Sequence, residues 1–146
     1  MLTNAERRRK VLSQHANLRE MIGEMLETAG RIAGGEEAER ITLRAQLAML
    51  HSALELHLLD EEQLLEPVLA RADGSGAEFL ARMNQEHAEQ RALLAALHSG
   101  LGGTVSARGL AANAVAVGRR LLQDMEAEEG ELLSAEALGD APRSSG

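Results

Sequence analysis

The chain has 146 residues, of which 45% are apolar. This is enough for one domain with its own core and too little for two substantial domains. The absence of cysteine excludes disulfides, iron–sulfur clusters and thiolate metal sites. Fifteen basic and 23 acidic residues give a formal net charge of −8, which argues against nucleic-acid binding. Phe79 is the sole aromatic residue, so the core must be aliphatic and no Tyr or Trp is available for radical chemistry.

The N-terminal segment MLTNAERRRK is charged and no apolar stretch of a secretory signal follows it. No apolar run approaches the length of a membrane span. The sequence therefore predicts a cytoplasmic protein that binds neither membrane nor nucleic acid. It contains no indication of the oligomeric state.

Good helix formers dominate the chain, and clusters of glycine interrupt them. Four helical stretches are predicted, at residues 4–33, 36–72, 77–99 and 105–138. Short connections favour an all-α fold, an antiparallel up-down-up-down four-helix bundle. We expect a single domain over residues 1–138, followed by a flexible C-terminal tail at 139–146.

Local signals mark some of the helix ends. Thr3 with Glu6, and Ser75 with Glu78, have the spacing of a capping box. Pro67 lacks a backbone N–H group and is expected to end or kink the second helix near the preceding residue.

The side of each helix that a bundle buries is found by steps of three and four residues along the chain. This seam is mostly apolar, but six ionisable residues interrupt it: His15 on the first helix, His57 and Glu61 on the second, His87 on the third, and Asp124 and Glu128 on the fourth. After Glu61 the same steps predict burial of Leu64 and Val68. Buried ionisable groups are unfavourable unless they have partners, so their alignment calls for an explanation.

The sequence also contains two short patterns that each occur twice. HANLR at 15–19 and HAEQR at 87–91 share the pattern H-A-x-x-R. HLLDEE at 57–62 and DMEAEE at 124–129 share the pattern H/D-x3-E-E. Two similar helical hairpins would then face each other, each with one ligand on its first helix and two on its second.

A metal centre accounts for such a set. Residues four apart project from one face of a helix, so an imidazole and a carboxylate can hold neighbouring coordination positions. These donors without thiolate suit iron, zinc or manganese. Three imidazoles and three carboxylates exceed the needs of one tetrahedral ion and fit two ions bridged by carboxylates. Glu62 and Glu129, which follow the bridging carboxylates, are assigned to the surface or to outer positions around the metal.

At these residues the chain resembles the hemerythrin-like (HHE cation-binding) domain. That family has His on helix one, H-x3-E on helix two, His on helix three and H-x3-E on helix four. The six seam residues occupy these positions in order, and HLLDEEQLLEP at 57–67 is close to the family's H-x3-EE-x2-LFP signature. The resemblance covers roughly residues 5–135.

The resemblance implies a non-heme centre with two iron ions, bridged by Glu61 and Glu128 and open to an additional oxo or hydroxo bridge. His15 and His57 would serve one iron, and His87 and Asp124 the other. Zinc or manganese could substitute for iron. Members of the family engage dioxygen or a related small oxidant for binding, sensing or detoxification. The sequence leaves open whether this chain is an enzyme; peroxide or oxygen reactivity alone would not establish it.

Two positions depart from the family pattern. Asp124 replaces the histidine of the fourth helix, and Arg91 stands where oxygen-carrying members have a second histidine on the third helix. More carboxylate and less imidazole weaken the case for reversible oxygen carriage.

The alternative hypothesis is a metal-free or zinc-bound helical interaction module, including a phosphotransfer-type bundle. Such bundles expose an active histidine, commonly followed by Lys and Gly, and no histidine here has that neighbourhood. A ferritin-like centre would need E-x-x-H pairs, which the H-x3-E and D-x3-E spacings do not match.

Overall fold

The computed structural model describes residues 2–71, 74–101 and 105–131. These residues form four helices, α1 (Asn4–Ala33), α2 (Arg40–Arg71), α3 (Gly74–Leu101) and α4 (Ala107–Glu131), with a 3-10 turn at Glu37–Glu39 before α2. Within these ranges no strand is formed, so the all-α prediction is confirmed. The predicted tail at 139–146 and the predicted end of the fourth helix lie outside the described residues.

The first two helices, α1 and α2, run in opposite directions. Arg31 near the end of α1 pairs with Glu39 just before α2, whereas Gln14 near the start of α1 donates a hydrogen bond to Asp60 far along α2. The chain order of contacts therefore reverses between the two helices, as it does in an antiparallel hairpin.

α4 packs closely along α1 and closes the bundle. A β-carbon added at Gly118 of α4 would lie 3.1 Å from side-chain atoms of Met25 and Leu26 and 3.2 Å from Ile22. Glycine therefore permits a close helix approach in which a larger residue would have to displace these side chains. This close approach brings the ionisable residues of α4 toward those of α1.

Both ends of α1 follow local sequence signals. The Thr3 hydroxyl accepts a hydrogen bond from the Glu6 backbone N–H, and the Glu6 carboxylate accepts one from Thr3. This predicted capping box is confirmed. Beyond the helix, Gly35 has a φ of 109°, a conformation that favours glycine and turns the chain toward α2. α3 begins one residue before Ser75, whose side chain lies outside the described residues.

Pro67 does not end α2, which continues to Arg71. Leu65 and Leu69, on either side of the proline, are fully buried against Val11 and Met83. This packing stabilises the helix at the position where proline removes a backbone hydrogen bond.

The core consists of two apolar clusters, and the ionisable residues interrupt the helices between them. A large cluster occupies one part of the bundle, and Val11, Leu65, Leu69 and Met83 form a second, smaller cluster. The expected burial of Leu64 and Val68 is wrong in detail, because both are only partly buried and the residues after them fill the core. Regular three–four steps drift by about 20° per heptad relative to a straight helix, which moves the seam by one residue over this distance.

Within the described ranges, no helix is both long and apolar enough to span a bilayer.

Candidate metal centre

All six ionisable seam residues line one cavity of about 10 Å³. This is close to the smallest space that holds a water molecule. The rest of the wall is formed mainly by aliphatic side chains, namely Leu18, Ile22, Leu54, Leu58, Leu121 and Met125. The bundle therefore encloses a small polar pocket inside an apolar wall.

Glu61 is the middle of this pocket and is fully buried. Its Oε2 lies 2.9 Å from His57 Nε2, one helical turn away on α2, and 3.4 Å from His15 Nε2 on α1. Its Oε1 lies 2.8 Å from His87 Nε2 on α3. The carboxylate thus has one oxygen facing the pair His15 and His57 and the other facing His87.

Glu128 on α4 repeats this division. Its Oε1 lies 3.1 Å from His15 Nε2, and its Oε2 lies 4.0 Å from His87 Nε2. Two buried carboxylates thus stand between the same two groups of imidazoles, an arrangement that could bridge two metal ions.

The distances on the His15 side fit ligands of one ion. Glu61 Oε2 and Glu128 Oε1 are buried and have no hydrogen-bond partner of good geometry among the described residues. The ring nitrogens nevertheless lie 2.9–3.4 Å from them. Ligands bonded at about 2.1 Å with tetrahedral or right angles lie about 3.0–3.4 Å apart. Ligand atoms of His15, His57, Glu61 and Glu128 all lie within 4.8 Å of one another, so these four residues could hold a metal ion.

In the absence of a metal, the imidazoles and carboxylates of this pocket shift one another's pKa values. Burial disfavours the His15 imidazolium, but the adjacent carboxylates of Glu128 and Glu61 outweigh it and raise the pKa of His15 to about 10. Burial likewise opposes ionisation of Glu61, yet the three imidazoles beside it keep the pKa of that carboxyl well below its usual range. Burial and the negative charge of Glu61 raise the pKa of Glu128. A bound cation would therefore displace protons from this cluster.

The three histidines present Nε2 to the pocket and use Nδ1 elsewhere. His57 Nδ1 lies 2.7 Å from Gln14 Oε1, so the ring donates to the amide oxygen. The amide nitrogen of Gln14 in turn donates to Asp60 at 2.9 Å. Such a bond at Nδ1 fixes the tautomer in which Nε2 is free to bind a metal.

His15 has its own orienting partner on α4. Its Nδ1 lies 3.2 Å from Glu129 Oε1. Arg19, one turn after His15, donates two hydrogen bonds to both oxygens of the same carboxylate, at 2.7 and 2.6 Å. A two-pronged arginine contact of this kind fixes the carboxylate plane.

The same link occurs a second time between α3 and α2. His87 Nδ1 lies 3.2 Å from Glu62 Oε1, and Arg91, one turn after His87, donates to that oxygen at 2.5 Å. We call the two sets, His15–Glu129–Arg19 and His87–Glu62–Arg91, the histidine–glutamate–arginine links. They give a physical reason for the repeated H-A-x-x-R and E-E patterns. The sequence repeat was the available signal, but it did not reveal what the arginines contact.

We predict that loss of either link weakens metal binding without removing a ligand. In Glu129→Ala and Glu62→Ala the histidine loses the acceptor that orients its ring, and metal affinity is expected to fall by about 10–100-fold. Competition with a chromophoric chelator measures the affinity. Glu126→Ala is the matched control, because it removes the same charge from an exposed position on α4. Equal weakening in Glu129→Ala and Glu126→Ala would contradict an orienting role.

Asp124 lines the pocket but is not among the four clustered ligands. Its carboxylate accepts hydrogen bonds from Gln90 Nε2 at 3.0 Å and from Arg120 Nε at 3.1 Å. Arg120 also pairs with Glu89 on α3. The side of the pocket around His87 therefore has fewer side-chain atoms free to bind a metal than the side around His15.

Comparison with known families agrees with this site. The model of the hemerythrin HHE cation-binding domain matches residues 8–135. The chain belongs to this family. No curated protein and no solved structure matches the chain significantly. Together, the hemerythrin domain and the buried His/Glu cluster indicate a metal-binding protein.

Within this hemerythrin-like bundle, the two departures from the family pattern have specific contacts. Arg91 does not enter the pocket as a ligand would, but secures Glu62 behind His87. Asp124 occupies the seam position of the family histidine, where its carboxylate is hydrogen-bonded to Gln90 and Arg120. Both differences fall on the His87 side.

Proposed function

We propose that the chain is a non-heme di-iron protein that engages dioxygen or a related small oxidant. The observation that carries this proposal is the orientation of two carboxylates. Glu61 and Glu128 each direct one oxygen toward His15 and the other toward His87. His15 and His57 would bind one iron and His87 the other, with both glutamates as bridges and Asp124 as a further ligand of the second.

The donor set supports iron over most other metals. Imidazoles and carboxylates without thiolate suit iron, with manganese and zinc as substitutes. Two carboxylates also supply negative charge that would balance a divalent cation in a buried site. Bound ferrous iron would supply electrons to the small oxidant.

The protein's own contribution is orientation and exclusion of water. Hydrogen bonds at Nδ1 hold each imidazole with Nε2 toward the pocket. The aliphatic wall and the burial of the pocket residues keep bulk water away. No tyrosine or tryptophan occurs in the sequence, so an aromatic relay for single electrons is absent. This favours binding, sensing or two-electron chemistry over radical catalysis.

The phosphotransfer alternative lacks a suitable histidine among those described. His15, His57 and His87 are buried, whereas phosphotransfer needs a ring that a partner protein can reach. His51 is partly exposed and pairs with Glu55, and Ser and Ala follow it in place of Lys and Gly.

Anaerobic loading with Fe(II) tests the proposal. The chain is stripped with a chelator, loaded and desalted, and iron per chain is measured by mass spectrometry before the optical spectrum is recorded with and without oxygen. We expect two irons per chain at excess Fe(II), the first held more tightly, and new near-ultraviolet and visible absorption after oxygen is admitted. His57→Ala should lower iron content, and His51→Ala on the same helix should not.

The outcomes separate the parts of the proposal. One iron at saturating Fe(II) would refute the di-iron centre and leave metal binding intact. No iron uptake, or equal losses in His57→Ala and His51→Ala, would refute the assigned iron site. An unchanged spectrum of the two-iron protein under oxygen would refute engagement of dioxygen.

A further inference from the structure

The outward face of α2 is unusually apolar. Among the described residues six large hydrophobic side chains are exposed, and four of them lie on this helix. Ile41, Met49, Leu56 and Leu59 are 80, 65, 62 and 51% exposed. Their spacings of eight, seven and three residues place them along one side of the helix. We call this surface the α2 outer face.

The α2 outer face is also nearly free of charge. Its other exposed positions between Ile41 and Leu59 are small or polar, namely Thr42, Ala45, Ala48, Ser52 and Glu55. Glu55 is thus the single charged residue exposed over five helical turns. The exposed side of α1, by contrast, carries Arg9, Lys10, Glu20, Glu24 and Glu27. A continuous apolar surface of this kind marks an interaction site more often than a solvated face.

We propose that the α2 outer face binds a second copy of this chain, with the two α2 helices antiparallel about a two-fold axis near residue 50. In that register, residues whose numbers add to about 100 lie opposite each other. Met49 of one copy then meets Ser52 of the other, and Leu56 meets Ala45. A large side chain therefore faces a small one in each pair, and the two-fold axis repeats each pair once. At each end of the interface, Ile41 of one copy lies opposite Leu59 of the other.

Charge selects the antiparallel direction. The Arg44 guanidinium has no ion-pair partner among the described residues, and its Nε lacks a hydrogen bond. Antiparallel pairing brings Arg44 of each copy beside Glu55 of the other. Parallel pairing in register would instead place Glu55 against Glu55, which is unfavourable.

A second copy fits this surface better than a lipid bilayer does. Membrane-surface helices are rich in Lys and Arg beside their apolar side, whereas acidic residues, Asp60, Glu62 and Glu66, follow or flank the end of the α2 outer face. The net charge of −8 also opposes binding to anionic lipid. His57 and Glu61 face the opposite side of the helix and are buried, so the dimer does not depend on the proposed metal centre.

Sedimentation equilibrium tests the association. As concentration rises from about 1 μM to about 1 mM, we expect the mass to rise from 15.6 kDa toward twice that value. Met49→Glu and Leu56→Glu should weaken association by at least about tenfold. Ala116→Glu is the matched control, since it adds the same charge to an exposed position on α4. A constant monomer mass, or equal effects of Leu56→Glu and Ala116→Glu, would overturn the proposal, as would vesicle binding by a chain that stays monomeric.

Crosslinking tests the direction. Because the chain has no cysteine, Ser52→Cys introduces a single thiol whose backbone would lie about 5 Å along the helix axis from its copy in the second chain. Thr42→Cys would lie about 25 Å from its copy. We expect oxidation to crosslink Ser52→Cys at least tenfold faster than Thr42→Cys at a concentration where dimer forms. Similar rates for the two variants would overturn the antiparallel register.

Discussion

Glu61→Ala is expected to abolish tight metal binding and to lower the free energy of unfolding of the metal-free chain by about 3–5 kcal/mol. Glu61 is fully buried and accepts from, or lies beside, imidazoles of three different helices. Without its carboxylate, the raised pKa of His87 loses its main support, and Nε2 of the ring loses its close partner while Nδ1 keeps its contact with Glu62. Both proposed ions also lose a shared ligand.

Two measurements and two further variants make this prediction decisive. Urea unfolding of the metal-free chain gives the free energy, and iron content after anaerobic loading gives the binding. Glu61→Gln preserves the volume and one acceptor oxygen, so it should cost less stability than Glu61→Ala but still lose metal. Glu66→Ala, at an exposed position on the same helix, should change stability by less than about 0.5 kcal/mol. Wild-type iron content in Glu61→Ala would contradict a bridging role.

Asp124→His is expected to tighten binding of the second iron by about tenfold or more while the first is unchanged. In the wild-type chain, Gln90 and Arg120 engage the Asp124 carboxylate, and a ligand so engaged must exchange these bonds for the metal. A histidine has no carboxylate for Arg120 to hold, and imidazole is a strong donor to iron. The His87 side would then match the His15 side more closely.

Arg120→Ala examines the same interaction from the other partner. Removal of the guanidinium leaves Asp124 bonded to Gln90 alone among the described residues, so we expect the second iron to bind more tightly here as well. Gln123→His is the control, because it adds a histidine at an exposed neighbouring position of α4. Stepwise Fe(II) titration followed by the optical spectrum separates the two ions. If Asp124→His has the occupancy and spectrum of wild type, residue 124 does not contact the second ion.

The sequence was sufficient for the helices and for the residues that meet in the pocket. The predicted helix boundaries agree within about four residues wherever the structure describes them, and the ionisable positions of the seam all line the same cavity. Finer features depend on how far each helix is rotated about its axis. A rotation of one residue decides whether Leu64 or Leu65 is buried, and no local signal fixes it.

The contacts that Glu62 and Glu129 make with the histidines could not be predicted from the helix pattern alone. Glu62 and Glu129 stand next to the seam, where a side chain can face solvent or a neighbouring helix. The choice depends on histidines that are 25 and 114 residues away in the chain. Asp124 shows the same limit. Its place on the seam was predictable, but its engagement by Gln90 of α3 depends on the height at which two helices meet.

The histidine–glutamate–arginine links have a consequence for the order in which the proposed metal centre is assembled. His15 and Glu129 are 114 residues apart in the chain, so this contact forms only after α1 and α4 have come together. A chain with α1 to α3 in place has His15 but neither Glu128 nor Glu129, and therefore lacks both a shared ligand and the partner that orients the ring. Long-range closure of this kind is slow compared with local helix formation. Insertion of the two proposed ions would therefore follow completion of the bundle, because an unfinished chain lacks the α4 ligands assigned to both sites.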